Sequence, residues 1–264
     1  MNAENNNTTA QDRFSVEGRV VLVTGAGTGL GAHFARVLGA SGARVACVAR
    51  RVERVEAIAA EIRATGGEAI ACNMDVTDRE SIARALEQIE QEFGVVDVLV
   101  NNAGLSNPAP FQSMSQEQWT SLLDANLSGP FYVAQAVAQR LIAAGKPGSI
   151  INIASILGHL ARAAFLNYGT TKGGLINMTQ YMALDLIDHG IRVNAIAPGY
   201  FPSEMTNPFY ESDAGQKEIA NLPPKRLGRH EELDGPLLLL ASEASSYMTG
   251  SVVTVDAGHS IRLS

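Results

Sequence analysis

The stretch Thr24-Gly25-Ala26-Gly27-Thr28-Gly29-Leu30-Gly31 decides the fold of this chain. It follows the apolar run RVVLVT at 19–24 and leads directly into a helical pattern. Glycines at such a turn let the backbone approach a pyrophosphate, and the N-terminus of the helix stabilises its charge. The alternative is an ordinary strand-to-helix turn, which does not need so many glycines. The residues of this loop that we expect to bind a dinucleotide are Gly25, Thr28, Gly29, Leu30 and Gly31.

Beyond this loop, short β-branched runs alternate with longer amphipathic stretches along the rest of the chain. Strands are predicted at 19–24, 43–49, 68–74, 96–100, 149–155, 191–197 and 251–257, and helices at 30–39, 52–64, 81–93, 116–143 and 168–188. Apolar strands joined by helices predict a mostly parallel sheet with helices on both faces, a doubly wound α/β (Rossmann) fold. We expect one domain at 17–264, a disordered tail at 1–16, and an irregular substrate lid around 200–225.

The composition excludes several classes of protein. The 264 residues are 46% hydrophobic and 18% charged, as in a globular domain with a sizeable core. A net charge of -7 argues against broad binding to nucleic acid or to an anionic membrane. Because the chain shows neither a secretory signal nor an apolar stretch of membrane-spanning length, we expect a cytoplasmic protein. Cys47 and Cys72 are expected in the core, and the histidine spacing predicts no metal site.

The spacing T-G-x-x-x-G-x-G at 24–31 resembles the cofactor motif of the short-chain dehydrogenase/reductase family. The stricter G-x-G-x-x-G fingerprint is not met, because Leu30 stands at its last position. The resemblance covers nearly the whole chain, with several motifs in the family's order. It implies that NADP(H) or NAD(H) also contacts Asp75 and Val76 after the third strand, Asn102, Ala103 and Gly104 after the fourth, Pro198 and Gly199 after the sixth, and then Ser203 and Met205.

Tyr168 and Lys172 are four residues apart on a predicted helix, so their side chains project from one face. A nearby ammonium stabilises a phenolate and lowers its pKa toward the range that suits acid/base catalysis. Ser155 ends a strand at the carboxyl edge of the sheet, where doubly wound folds bind ligands. The family resemblance implies that Tyr168 transfers a proton, that Ser155 orients the carbonyl, that Lys172 also binds the nicotinamide ribose, and that Asn126 supports a water relay. Otherwise Asn126 would be a polar helix residue bonding locally.

The leading hypothesis is therefore an oxidoreductase that transfers a hydride between a nicotinamide cofactor and a ketone or secondary alcohol. A non-catalytic dinucleotide-binding regulator is the first alternative, and a sugar or acyl reductase of the same family is the second. An epimerase or dehydratase is less compatible, because such chains usually carry a larger C-terminal substrate domain. An apolar pocket, and hence a hydrophobic substrate, is predicted from Leu105, Ile156, Leu157, Phe165 and Tyr200, with Phe201, Phe209 and Tyr210 on the lid.

The end of the second strand bears on the choice between NADP and NAD. An NAD-binding fold places a carboxylate there, but this chain has Ala49, followed by Arg50 and Arg51. A guanidinium can pair with a 2′-phosphate, so Arg50 predicts a preference for NADP(H). The alternative is that both arginines begin the exposed face of a helix. The family resemblance further implies a homotetramer built through the helices at 116–143 and 168–188.

Overall fold

The computed structural model describes residues 9–204 and 206–262. At its centre is a seven-stranded sheet, in which every adjacent pair of strands is parallel, in the order β3-β2-β1-β4-β5-β6-β7. The strands are β1 (Val20–Thr24), β2 (Arg44–Ala49), β3 (Glu68–Asn73), β4 (Val98–Asn101), β5 (Gly148–Ile153), β6 (Ile191–Pro198) and β7 (Val252–Val255). The strand order reverses between β1 and β4, and ligands bind at such a switch point. The predicted doubly wound α/β fold is confirmed.

Helices cover both faces of the sheet. They are α1 (Gly29–Ala40), α2 (Val52–Ala64), α3 (Arg79–Phe93), α4 (Gln116–Leu123), α5 (Gly129–Ala143), α6 (Leu166–Leu186), α7 (Asn207–Tyr210), α8 (Asp213–Asn221) and α9 (Asp234–Ala241). Side chains of α1, α2 and α9 share one apolar layer, and those of α3, α5 and α6 share the other. A π-helical turn at Asp124–Ser128 joins α4 to α5, so the long helix predicted at 116–143 is interrupted once.

The strands supply both layers because successive side chains point to opposite faces. Val21 and Val23 of β1 pack in the layer with α1, whereas Leu22 packs in the layer with α3. Cys47 of β2 and Cys72 of β3 are likewise buried, one in each layer, as predicted. Burial raises the pKa of the Cys47 thiol to about 12 and that of Cys72 to about 11.

Two expectations about less regular segments need correction. Of the tail expected to be disordered at 1–16, residues 1–8 lie outside the described part. Asp12–Phe14 form a short 3-10 helix and Val16 is fully buried in the core, so the ordered chain begins earlier than predicted. The segment at 200–225, expected to be an irregular lid, contains two short helices, α7 and α8, between irregular stretches. Within the described residues, no helix combines the length and the apolar character needed to cross a membrane.

Candidate active site

The glycine loop forms a bare backbone cradle between β1 and α1. Gly25 and Gly29 have φ angles of +67° and +53°, in the left-handed region that glycine tolerates best. A Cβ atom at Gly31 would lie 2.3 Å from the main-chain oxygen of Gly25, so the loop and the helix touch without room for a side chain. Thr28 precedes α1 without capping it through its side chain. The loop can therefore hold a phosphate-bearing group at the helix N-terminus.

The residues that follow β4 form a floor under this loop. The Asn102 amide donates a 2.9 Å hydrogen bond to the main-chain oxygen of Thr24. The Thr24 hydroxyl oxygen accepts from the main-chain N–H groups of Asn102 and Ala103, each at 3.0 Å. A Cβ atom at Gly25 would lie 2.9 Å from the Cα atom of Ala103, so the close stacking of loop on floor requires glycine there. The structure thus brings together the two motifs that the sequence assigned to the cofactor.

We call the cleft along the carboxyl ends of the strands the groove; at its far end, just after β2 and β3, Arg50 and Asp75 lie close enough for their charges to interact. Partial burial opposes ionisation of Asp75, but hydrogen bonds from Thr77 and the charge of Arg50 hold its pKa below the ordinary value. Val76, the next residue, packs against Gly129. Arg50 itself is exposed and has no ion-pair partner among residues 9–204 and 206–262. Its guanidinium can therefore reach a ligand that enters the groove.

The chemical end of the site lies where β5 ends and α6 begins. Ser155 and Lys172 are 8% and 5% exposed, and Tyr168 is half-buried between them. The Lys172 ammonium donates a 2.8 Å hydrogen bond to the main-chain oxygen of Ile153 and lies 5.7 Å from the centre of the Tyr168 ring. Ser155 accepts a 3.1 Å hydrogen bond from the N–H of Leu157, and its hydroxyl hydrogen remains available to the neighbouring Tyr168 phenol.

The electrostatics of this group differ from the prediction. Burial raises the pKa of the Tyr168 phenol, and hydrogen bonding with Ser155 only partly opposes that rise. Burial also lowers the pKa of Lys172 to about 8. The sequence predicted that the lysine would bring the phenol pKa toward neutrality, and in the free protein this is wrong. The ammonium points at the carbonyl of Ile153 instead of at the phenol oxygen, so desolvation dominates both groups.

Asn126 lies in the π-helical turn and is fully buried. Its side-chain oxygen accepts a 2.7 Å hydrogen bond from the N–H of Leu105, and its amide donates 2.8 and 3.3 Å bonds to the main-chain oxygen of Leu105 and the hydroxyl of Thr171. A Cβ atom at Gly104 would be 3.1 Å from the Asn126 oxygen and 3.7 Å from Lys172 Nζ. Asn126 therefore ties the floor after β4 to the helix that carries Tyr168 and Lys172.

The loop after β6 returns to the glycine cradle. Pro198 is buried at the end of β6, and Gly199 packs so closely on Asp256 that a Cβ atom would lie 2.8 Å from the aspartate Cβ. Ser203 shares a 2.9 Å hydrogen bond with the hydroxyl of Thr206, and its Cβ atom is 3.6 Å from the Cβ position of Gly29. Ser203 thus lies beside the glycine loop, while Met205 lies outside the described residues.

The pocket wall is more polar than the sequence indicated. Ile156 and Phe201 are 2% and 9% exposed, Phe201 within the core, whereas Leu105 and Phe209 reach solvent. The sequence interpretation missed an ion pair at this wall. Arg162 Nη1 and Nη2 lie 2.6 and 2.8 Å from the two carboxylate oxygens of Glu218 on α8. Arg162 is the one charged residue between Ser155 and Tyr168 in the sequence, and this isolated charge could have identified it as a candidate site residue.

A second unexpected feature lies behind Tyr200. Tyr200 and His259 both line a cavity of about 180 Å³ at the loop after β7. The ring of His259 stands edge-on to Tyr200 at 5.1 Å between centroids, and its Nδ1 atom is buried without a partner within the described chain. Tyr200 therefore lies between this cavity and the Arg162 side of the pocket, where its hydroxyl accepts a 3.3 Å hydrogen bond from Arg162.

Comparison with known proteins agrees with this arrangement. Residues 19–214 match the family model described as short chain dehydrogenase. Gluconate 5-dehydrogenase of Gluconobacter oxydans is 37% identical, over 96% of this chain and 98% of its own. Sorbitol dehydrogenase of Cereibacter sphaeroides is 38% identical, over 92% and 98%. The crystal structure of a gluconate 5-dehydrogenase from Burkholderia cenocepacia, in complex with NADP and tartrate, superposes with a TM-score of 0.92 at 36% identity, over 97% of this chain and all of that one.

Proposed function

This chain belongs to the short-chain dehydrogenase family and is a nicotinamide-dependent oxidoreductase of carbonyl and alcohol groups, and from that premise we propose that Tyr168 is its catalytic acid and base. The observation that carries the proposal is the grouping of Tyr168, Ser155 and Lys172 at the carboxyl edge of the sheet, half-buried or buried. Asn126 completes the group through its bonds to Leu105 and Thr171.

The proposed chemistry follows from the hydrogens available at each side chain. A bound nicotinamide cofactor supplies a hydride to the carbonyl carbon or accepts one from the alcohol carbon. The Ser155 hydroxyl donates its one hydrogen to the substrate oxygen, while the N–H of Leu157 holds the hydroxyl oxygen in place. Tyr168 donates its phenolic proton to that oxygen during reduction and removes the proton during oxidation. General acid/base catalysis of this kind contributes roughly 10²- to 10⁴-fold.

Lys172 has two proposed tasks. Its ammonium carries three N–H donors, and the bond to Ile153 uses one of them, so others can bind the hydroxyls of the cofactor ribose. At 5.7 Å from the Tyr168 ring, its charge also favours the phenolate in a site of low dielectric. Because burial raises the phenol pKa in the free protein, we expect the acid/base function to develop fully only when ligands are bound.

We propose that the enzyme prefers NADP(H) to NAD(H). The last residue of β2 is Ala49 and not a carboxylate, and the exposed Arg50 follows it at the same end of the groove. A 2′-phosphate carries about -1.5 to -2 charges and can pair with a guanidinium. NADP in the related Burkholderia cenocepacia structure supports the same choice. The residues that would hold the cofactor are the glycine loop, Asp75 and Val76, the floor at 102–104, and the loop from Pro198 through Ser203 to Met205.

For the substrate, we favour a polyhydroxy compound, a sugar acid or a polyol, over the hydrophobic carbonyl compound predicted from the sequence. The relatives' names, gluconate 5-dehydrogenase, 5-keto-D-gluconate 5-reductase and sorbitol dehydrogenase, support this choice. So does the wall, where Arg162, Glu218 and Tyr200 present polar atoms. An acyl substrate is the alternative. It is supported by a 3-oxoacyl-[acyl-carrier-protein] reductase of Thermotoga maritima, which is 36% identical over 92% of this chain and 98% of its own.

The test is a spectrophotometric assay of cofactor oxidation and reduction against one panel. The panel contains gluconate and its keto acids, sorbitol and other polyols, apolar ketones, and a β-ketoacyl thioester. We expect the highest kcat/KM for a polyhydroxy compound with NADP(H). Preferential turnover of the apolar ketones or the thioester would replace the substrate class. Cofactor binding without turnover of any member would favour the non-catalytic regulator.

We further propose that the protein is a cytoplasmic homotetramer. Aromatic and aliphatic side chains on α5 and α6 and just beyond are exposed in the single chain, namely Phe131, Tyr181, Leu184 and Ile187. These helices are the ones through which the family resemblance implies pairing. Burial of such a patch in a partner would remove apolar surface from water. A cytoplasmic location would give the enzyme access to the cell's pool of nicotinamide nucleotides.

A further inference from the structure

Arg162 combines features that suit recognition of a carboxylate. Its guanidinium presents two parallel N–H donors to Glu218, at 2.6 and 2.8 Å, the fork geometry in which arginine binds carboxylates. The Phe165 ring lies 4.8 Å from the guanidinium carbon, and the rings of Tyr200 and Phe209 lie 5.9 and 6.0 Å away. These rings hold the guanidinium in place and lower the dielectric around it. An anion would therefore bind here more strongly than at an exposed arginine.

This guanidinium belongs to the neighbourhood of the reacting phenol. Phe165, which lies under Arg162, packs edge-on against the Tyr168 ring at 6.4 Å between centroids. Tyr200 accepts a hydrogen bond from Arg162 and directly follows Gly199 of the proposed cofactor loop. Arg162 is thus on the substrate side of the site.

Glu218, in contrast, sits on an element that is weakly attached. Of the nine residues of α8, only Gly215 is buried. Besides the ion pair with Arg162, two side-chain hydrogen bonds join α8 to the described chain around it: Gln216 donates to the main-chain oxygen of Tyr210 at 2.6 Å, and Arg262 donates to the main-chain oxygen of Asn221 at 2.9 Å. Most side chains of the helix therefore reach solvent, and a displacement of α8 would uncover little of its own buried surface. A half-buried ion pair on such a helix is open to exchange when another carboxylate competes.

We propose that Arg162 is the carboxylate-binding residue of the substrate site. In the free enzyme, the Glu218 carboxylate occupies the position on Arg162 that the substrate carboxylate would take. An acid substrate would set its two carboxylate oxygens on Nη1 and Nη2, and Glu218 would swing away with α8. This inference rests on the polyhydroxy substrate class proposed above and narrows it to acids. It also makes movement of α8 depend on the charge of the ligand, because a neutral polyol has no group that can displace Glu218.

The test compares gluconate with sorbitol, which share a six-carbon polyhydroxy chain and differ in a terminal carboxylate. Binding is measured by calorimetry in the presence of NADPH. Because the reduced cofactor cannot oxidise the hydroxyl groups of gluconate or sorbitol, the measurement reports binding without turnover. The variants are Arg162→Gln, Arg162→Lys and Glu218→Gln. The matched control is Arg140→Gln, because Arg140 and Glu90 form a pair at 3.0 Å with similar exposure, 26% and 30% against 30% and 24% for Arg162 and Glu218.

We expect Arg162→Gln to weaken gluconate binding about 10- to 100-fold more than sorbitol binding. Arg162→Lys should fall between, since it keeps the charge and loses the fork, and it serves if the glutamine variant does not fold. Glu218→Gln should tighten gluconate binding, and Arg140→Gln should leave the gluconate-to-sorbitol ratio at the wild-type value. Amide hydrogen exchange should show gluconate increasing, and sorbitol not changing, the exposure of α8.

Three results would overturn the inference. Equal losses for gluconate and sorbitol in Arg162→Gln would make the pair a structural link. Weaker gluconate binding in Glu218→Gln would mean that the glutamate assists the acid rather than competing with it. Failure of the proposed function is distinguishable, because the wild-type enzyme would then turn over no polyhydroxy compound, charged or neutral. Wild-type turnover of polyols without binding of acids would leave that function standing and reject the carboxylate site.

Discussion

Lys172 donates its 2.8 Å hydrogen bond to Ile153, the last residue of β5, and thereby joins the catalytic helix to the centre of the sheet. The bond partly compensates for burying an ammonium group that is only 5% exposed. It does not compensate fully, since burial still lowers the lysine pKa to about 8. The buried ammonium charge of Lys172 therefore lowers the free energy of unfolding, and the size of this effect depends on pH.

The first prediction is a stability difference that changes with pH. The pKa of Lys172 falls from 10.5 to about 8 on folding, so between these values the unfolded chain binds more protons than the native one. The free energy of unfolding therefore rises with pH across this window. Relative to Lys172→Met, the wild type should gain up to about 3 kcal/mol between neutral pH and the unfolded pKa. Urea unfolding of both proteins across the range measures it, and a constant difference would contradict it.

Removal of the Tyr168 hydroxyl should abolish catalysis without abolishing cofactor binding. Tyr168→Phe keeps the ring that packs against Phe165 but has no proton to transfer, so kcat should fall by roughly 10²- to 10⁴-fold. NADPH affinity, measured by fluorescence titration, should stay near the wild-type value. Tyr247→Phe is the control, because Tyr247 is fully exposed. Near-native turnover of the Tyr168 variant would mean that another group is the acid.

Arg50 should control cofactor choice. Arg50→Ala removes a charged hydrogen bond to the 2′-phosphate, worth about 1.5 to 3 kcal/mol, so the NADP-to-NAD ratio of kcat/KM should fall by roughly one to two orders of magnitude. Ala49→Asp should shift the ratio the same way by repulsion. Arg51→Ala is the matched control, as the neighbouring arginine at the start of α2. A native preference for NAD, or an unchanged ratio in Arg50→Ala, would make Arg50 an ordinary surface residue.

The glycine cradle should not tolerate a methyl group. In Gly31→Ala the new Cβ atom would meet the Gly25 oxygen at 2.3 Å and the Asn102 amide at 2.4 Å, so the loop must shift. Overpacking of this kind destabilises by about 1 to 3 kcal/mol, and cofactor affinity should fall with it. Gly235→Ala is the control, since its Cβ atom has nothing within 4 Å and alanine favours the helix. Thermal unfolding with and without NADPH separates the two effects.

The proposed assembly predicts a change in molecular mass. Leu184 on α6 is 71% exposed in the single chain, and a charge there would be buried in a paired interface. Leu184→Glu should therefore shift the protein from a tetramer toward smaller species in light scattering. A wild-type protein that is monomeric at assay concentrations would reject the assembly, and a tetrameric variant would place the interface elsewhere.

Local sequence patterns were enough to predict most of the fold. Apolar runs such as 149–155 have a length and a β-branched content that local rules recognise, and β5 lies where that run predicted it. The pairing of Arg162 with Glu218 could not be predicted, because 56 residues separate them and only the tertiary fold brings them together. The predicted direction of the Tyr168 pKa shift was wrong for a similar reason. Spacing along a helix shows that a lysine is near, but not how deeply both groups are buried.

The buried thiols of Cys47 and Cys72 leave the native protein without a readily reactive sulfur in the described chain. With pKa values of about 12 and 11, both stay protonated at neutral pH, and the sheet shields them from reagents. A single cysteine introduced on α8, at the exposed Lys217, would therefore accept a fluorophore or spin label selectively. The wild-type sequence can therefore serve as the background for single-cysteine labelling. Fluorescence or electron paramagnetic resonance spectroscopy of the label would then report the position of α8 in solution.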